Sequence, residues 1–256
     1  MSRAERVPMS LDDAACRRHS VRGFLPAEVP ARLLREAFEI AQRAPSNCNV
    51  QPWTPHVVSG DSLRRLRAAL LEAATSGRPV DPDFEANWKF AGVYRERQID
   101  AAVQLYDAMG IERRDAAGRQ AAMIRNYALF DAPHAVFVFM AEGFAAREAV
   151  DVGMWAQTLM LALTARGIGS CAQGALSLYP EIVRLVSNAG CTLVRQGEGL
   201  ARNMVQPGQG AQSPRAEKSR HRAHGERHHE NRRPAEGVLI LPPTKRSPFR
   251  PPGAED

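Results

Sequence analysis

Between Glu148 and Arg166 the chain is apolar nearly all the way round: Val152, Met154, Trp155, Leu159, Met160, Leu161 and Leu163 leave little face for water, and Gly167 follows. A helix of that kind must be buried on most of its sides, and the glycine supplies the left-handed turn that ends it. The fold therefore has to be built around this segment. It does not read as a bilayer span, because no window reaches the roughly 18 to 20 uninterrupted apolar residues that spanning needs. The N-terminus carries Glu5, Asp12 and Asp13 in place of an apolar signal stretch, so a soluble, cytoplasmic protein is expected. At 256 residues and 44% apolar composition the chain can bury a substantial core.

The segments around that helix alternate in type. Ser10 and Asp13 form a capping-box pattern opening a short helix towards Arg17, and Pro30 precedes a second helix with Leu34, Ala37, Phe38 and Ala41 on one face. Thr54 to Ser59 has the composition of a short strand. Asp61 or Ser62 is the expected cap of a helix carrying Leu63, Leu66 and Leu70, and Ala135 to Ala141 is a continuous apolar run suited to a central strand. Ser177, Pro180 and Glu181 start one more helix, through Ile182, Val183 and Leu185 to Val186. Helix and strand are mixed, so the expected class is α+β.

After Val186 the pattern stops. From Ser187 onward there are 12 Lys and Arg against 7 Asp and Glu, so this stretch holds five of the six net positive charges, together with eight of the 18 prolines and one aromatic residue, Phe249. Such a composition buries too little apolar surface to offset its chain entropy. Two parts are expected, a folded domain over residues 1–186 and a disordered basic tail over 187–256. Within the tail, Gly237 to Leu241 is the one strand-like run, able to add an edge to something, and His221, His224, His228 and His229 lack a scaffold that would make them a metal site. No metal is expected. Cys16, Cys48, Cys171 and Cys191 are scattered without a CxxC pair and read as reduced thiols.

Three constellations carry chemistry. In Arg17-Arg18-His19-Ser20-Val21-Arg22-Gly23-Phe24, forked guanidiniums and a hydroxyl cluster between a helix and a turn, which suits a phosphate; a basic helix end satisfying its own carbonyls competes equally. In Ala44-Pro45-Ser46-Asn47-Cys48-Asn49-Val50-Gln51-Pro52-Trp53, side chains that donate and accept together match the mixed N and O edge of a flavin pyrimidine, against the plainer reading of a helix-to-strand turn. Gly167-Ile168-Gly169-Ser170-Cys171-Ala172-Gln173-Gly174-Ala175 formally contains a dinucleotide fingerprint, but it follows a helix instead of linking a strand to one. A backbone open to a flat ring, or a helix cap and turn, are the readings left.

Taken in order and at this spacing, the three segments resemble the nitroreductase family over roughly residues 9 to 186. The resemblance implies a nitroreductase-like fold, with a central, mostly antiparallel sheet flanked by helices in an interlocked homodimer, and one FMN in each of two interface sites. It implies that Arg18, His19, Ser20 and Arg22 bind FMN from one subunit, Arg18 and Ser20 nearest the phosphate and ribityl chain and Arg22 near N1 and the C2 carbonyl. Pro45, Ser46, Asn47 and Gln51 would reach the same flavin from the other subunit, and Ala172, Gln173 and Gly174 would line its opposite edge. The implied activity is hydride transfer from NADH or NADPH through the flavin to a nitroaromatic or quinone-type acceptor. Arg22 is the expected catalytic side chain, since a guanidinium about 4 Å from developing charge contributes roughly 4 kcal/mol at an effective dielectric of 20. The stretch from Pro79 to Gly118, with Trp88, Phe90, Tyr94 and Tyr106, would cover the mouth of the site or simply pack a helical excursion.

The C-terminus departs from the family, whose members continue into a strand and then an Arg-containing segment near the phosphate; a frameshift or an acquired tail would each produce the break. The competing functional reading is a catalytically impaired remnant of this fold whose basic tail binds nucleic acid nonspecifically.

Overall fold

The run His134–Met140 is a strand whose seven residues are all buried, and its alternation sorts them onto two cores. Ala135, Phe137 and Phe139 face one side, and Val136, Val138 and Met140 face the other. A strand covered on both faces needs no polar alternation, which is why its sequence is continuously apolar. The computed structural model describes residues 9–84, 89–188 and 237–245.

The elements follow in the order α1 (Leu11–Arg17), α2 (Ala31–Ala41), β1 (Thr54–Ser59), α3 (Gly60–Thr75), α4 (Gly92–Ala108), α5 (Ala116–Ile124), β2 (His134–Met140), α6 (Ala146–Thr164), β3 (Gly169–Ala172), α7 (Pro180–Asn188) and β4 (Gly237–Lys245). Ser10 caps α1 as its spacing predicts, its Oγ accepting the Asp13 N–H at 3.0 Å. The expected cap of α3 moves. That helix starts directly from the end of β1, with Ser59 at the cap position and Gly60 at φ +57°, so neither Asp61 nor Ser62 is needed to turn the chain. At the start of α6 the Glu148 carboxylate accepts the Ala145 N–H at 2.9 Å, and this bond is the chief reason its pKa is lowered. Gly167, at φ +75°, ends the last turn.

Helices cover both faces of the sheet. On one side α3 and α7 bring Leu63, Leu66, Leu70, Ile182 and Val183 against Val58, Phe137 and Phe139. On the other, α2 and α6 bring Leu34, Ala37, Trp155, Leu159 and Leu163 against Val57, Val136 and Val138. Truncating a fully buried leucine such as Leu159 to alanine would cost about 2 to 5 kcal/mol. The long α6 is indeed the spine of this second core. No described helix is long and apolar enough to cross a membrane.

The strand order is β1-β2-β4-β3. The α+β class and the helix-flanked sheet stand, but the strand directions are mixed: β1 and β2 are antiparallel, whereas β4 runs parallel to both β2 and β3. Where a mostly antiparallel sheet was expected, one of the three described pairings is antiparallel. Pro55 is accommodated because β1 is an edge strand.

β4 also corrects the expected boundary at residue 186. Helix α7 runs on to Asn188, and Gly237–Lys245 sits inside the sheet, between β2 and β3, not at an edge. Gly237 to Ile240 pair with β3 and Val238 to Leu241 with β2, after which the register slips so that Phe137 faces Leu241 but Phe139 faces Thr244. Pro242 and Pro243 fall in that bulge, where a residue lacking an N–H does least harm to the ladder. The remaining tail, with the four tail histidines and the basic run expected to be disordered, lies outside the described residues.

Candidate functional site

The first and third constellations meet along the main chain. Ser20 bridges Ser170 in parallel fashion, and the Val21 N–H donates to the Ser170 carbonyl at 3.1 Å. Gly169–Ala172, where the sequence offers either an open glycine-rich backbone or a helix cap and turn, is a strand, and the segment after α1 adds itself to that strand. Ser170 and Cys171 are buried there, while Ala172 and Gly174 are exposed. Ser170 Oγ has no hydrogen-bond partner among the described residues.

This junction is electropositive. Burial pushes the Cys171 thiol pKa up, while the guanidinium of Arg22, a hydrogen bond involving Ser20 and the guanidinium of Arg18 act in the opposite direction. Arg22 is exposed and Arg18 half-buried, so both cations are open to a ligand. His19 is used locally: its Nδ1–H donates to the Arg17 carbonyl at 2.9 Å, the bland reading of a basic helix end.

A support that side-chain patterns did not reveal holds this junction from behind. The Phe24 N–H donates to the Phe130 carbonyl at 3.2 Å, Arg125 Nη2 donates to the Arg22 carbonyl at 3.4 Å, and Gln173 Nε2 donates to the Asn126 carbonyl at 3.4 Å. Gln173 is thus turned inward and buried, leaving its main chain beside the exposed Ala172 and Gly174. The turn supplying these partners runs through Leu129, Phe130 and Asp131 at φ of +57°, +50° and +66°. Three consecutive left-handed residues, none of them glycine, persist only where packing over-determines them. Leu129 and Phe130 are buried accordingly.

The second constellation is anchored elsewhere. Asn47 N–H donates to Asp151 Oδ2 on α6 at 3.0 Å, Gln51 N–H donates to Ser46 Oγ at 2.9 Å, and Trp53 Nε1 donates to Gln42 Oε1 at 2.9 Å. Pro45, Asn47, Cys48, Asn49 and Val50 are exposed, whereas Pro52 and Trp53 are buried. Among the described residues no hydrogen bond joins this loop to the other two segments. Asp151, a lone acid on the apolar face of α6, was the available signal for its anchor.

Of the residues expected over the mouth, Trp88 lies outside the described ones. Phe90 and Tyr94 are exposed on and before α4, a helix with no buried residue, and Tyr106 is half-buried.

A model described as the nitroreductase family matches residues 15–188. A nitroreductase, NfnB, of Mycolicibacterium smegmatis is 44% identical over 168 residues, 65% of this chain and 71% of that protein. A 4-nitrobenzoate reductase of Pseudomonas putida is 32% identical over 173 residues, 68% of this chain and 76% of the relative. Among solved structures, the FMN-dependent nitroreductase NfnB from Mycobacterium smegmatis in complex with NADPH superposes with a TM-score of 0.65 at 39% identity, over 78% of this chain and 96% of that one.

Proposed function

This chain belongs to the nitroreductase family, and from that premise we propose that it is an FMN-dependent oxidoreductase that transfers hydride from NADPH or NADH to nitroaromatic acceptors, with quinones as a second acceptor class. The observation that supports the reading is the main-chain junction of Ser20 and Val21 with Ser170, which lays the Arg18–Arg22 segment along β3, where Arg22, Ser20 and Arg18 act on Cys171.

The residues fit the cofactor. Two guanidiniums and a hydroxyl form a donor set for a phosphate and a polar ring edge. A Cβ built on Gly174 would meet nothing within 4 Å, so the backbone there is open to a flat ring. When bound, FMN supplies the hydride-accepting and hydride-donating chemistry. Arg18 and Ser20 would hold the phosphate and ribityl end, and Arg22 would offset negative charge developing at the N1 and C2 carbonyl edge. No protein nucleophile or metal is required. By the family resemblance, Pro45, Ser46, Asn47 and Gln51 would serve the cofactor of a second subunit, which makes a homodimer the working unit of this reading.

Purified protein titrated with FMN under anaerobic conditions should bind it, bleach on addition of NADPH or NADH, and recover its colour with 4-nitrobenzoate or a benzoquinone. Absence of bound flavin at saturating FMN overturns the reading, and a dimer by light scattering is expected alongside.

A further inference from the structure

Asp151 stands one turn before Trp155 on α6, beside Val152, and only 5% of it is exposed. A carboxylate removed from water to that degree is tolerated where hydrogen bonds offset its desolvation. The bond it makes reaches the main chain of a remote loop, Oδ2 accepting the Asn47 N–H at 3.0 Å. Four residues on, along the same helix face, Trp155 lies against Trp53 with ring centroids 6.4 Å apart and planes inclined by 26°. One face of α6 therefore grips both ends of the loop, at Asn47 and at Trp53.

What lies between the grips is strained. Cys48, Asn49 and Gln51 have φ of +48°, +55° and +48°, and none is a glycine. Left-handed non-glycine residues relax unless the surroundings hold them. The internal bond from Gln51 N–H to Ser46 Oγ closes the loop on itself but does not tie it to the body; Asp151 does.

We propose that Asp151 is a positioning residue that keeps the Ser46–Gln51 loop in its left-handed form before any ligand arrives, so that binding meets ordered amide and hydroxyl groups. The consequence for cofactor affinity rests on the reading of this loop as flavin-binding. Ordering a loop at the moment of binding weakens affinity, and pre-ordering removes that cost. Trp155 alone cannot do this, since it touches the far end.

The test is amide hydrogen exchange by mass spectrometry on the flavin-free full chain, with FMN titration in parallel. Asp151→Ala should speed exchange of peptides covering residues 46–51 by about tenfold, the loss of one charge-assisted bond, and leave β1 and β2 peptides unchanged. It should raise the FMN dissociation constant by about tenfold, while turnover at saturating FMN stays within about twofold of the parent. Asp151→Asn keeps the shape and one acceptor oxygen, and should recover part of both effects; it carries the same readouts if the alanine variant does not fold. Unchanged exchange at residues 46–51, or acceleration spread equally over β1 and β2, overturns the proposal. If the parent binds no FMN, the flavin reading fails alone and the exchange result still decides the role of Asp151.

Discussion

His134 accepts the backbone N–H of Val29 through Nε2 at 2.9 Å, so the imidazole at the head of β2 must be neutral for the bond to exist. Burial lowers its pKa, with Glu28 opposing the shift. A histidine that charges more readily unfolded than folded makes stability fall as pH drops below the ordinary value of 6.5 towards its depressed folded value, and level off below that. Urea midpoints measured from pH 8 down to 5 should decline over that window. His134→Phe should flatten the decline and, at pH 8, cost about 1 to 3 kcal/mol for the unpaired Val29 N–H. An unaltered acid slope in that variant would exclude His134 as its source.

Arg18 and Arg22 should separate in their effects. Arg18→Ala should weaken FMN binding by about tenfold to a hundredfold, since a phosphate is charged in every redox state. Arg22→Ala should change affinity less but slow anaerobic reduction by NADPH by about a hundredfold, because its interaction grows as charge develops. Flavin titration and stopped-flow absorbance measure the two. Equal losses in both variants would count against the assigned roles.

Arg184 on α7 reaches Asp83, Nη2 to Oδ1 at 2.5 Å, with side chains 15% and 12% exposed. Asp81 N–H also donates to the Leu178 carbonyl, so the stretch after α3 is pinned next to α7. Removing one member of a pair this sheltered costs about 3 kcal/mol. Arg184→Met and Asp83→Asn should each lower the denaturation midpoint, with the double variant far less than additive. Additive losses would mean the pair is not coupled.

Leu239 lies opposite Ala135 in β2 and Cys171 in β3. Leu239→Pro removes a main-chain donor from an interior strand and should destabilise by about 3 kcal/mol or more, read as a fall in urea midpoint. An unchanged midpoint would show that Gly237–Lys245 contributes nothing to the sheet in solution.

Where a segment's neighbours lie within its own sequence pattern, that pattern sufficed. β1 was legible at both ends because turn residues bracket it, and β2 and α6 because their apolar character leaves no water-facing side. Gly169–Ala172 was not, since four residues rich in small side chains become a strand only through pairing with Gly237–Ile240 far along the chain. The interior place of Gly237–Lys245 was hidden for the same reason, its apolar run being short and followed by two prolines. The first two site segments were legible as clusters of donors and mixed donor-acceptor side chains, and the third as a glycine-rich backbone. Their junction was not, because it runs through the main chain at Ser20, Val21 and Ser170, and its rear support rests on the carbonyls of Arg22, Asn126 and Phe130.

The place of Gly237–Lys245 between β2 and β3 governs how this protein can be made. During synthesis both neighbouring strands are complete by residue 172, yet neither can pair with the other across the gap, and each presents a row of unsatisfied amides and carbonyls. At translation rates of about 5 to 20 residues per second, the missing strand follows Ala172 by roughly 3 to 13 seconds. Parallel pairing over so long a separation is slow in its own right. Throughout that interval the nascent sheet is an open seam able to accept a strand from any neighbouring chain, so soluble yield in the cell should respond to translation speed and chaperone supply more than the finished protein's stability would suggest.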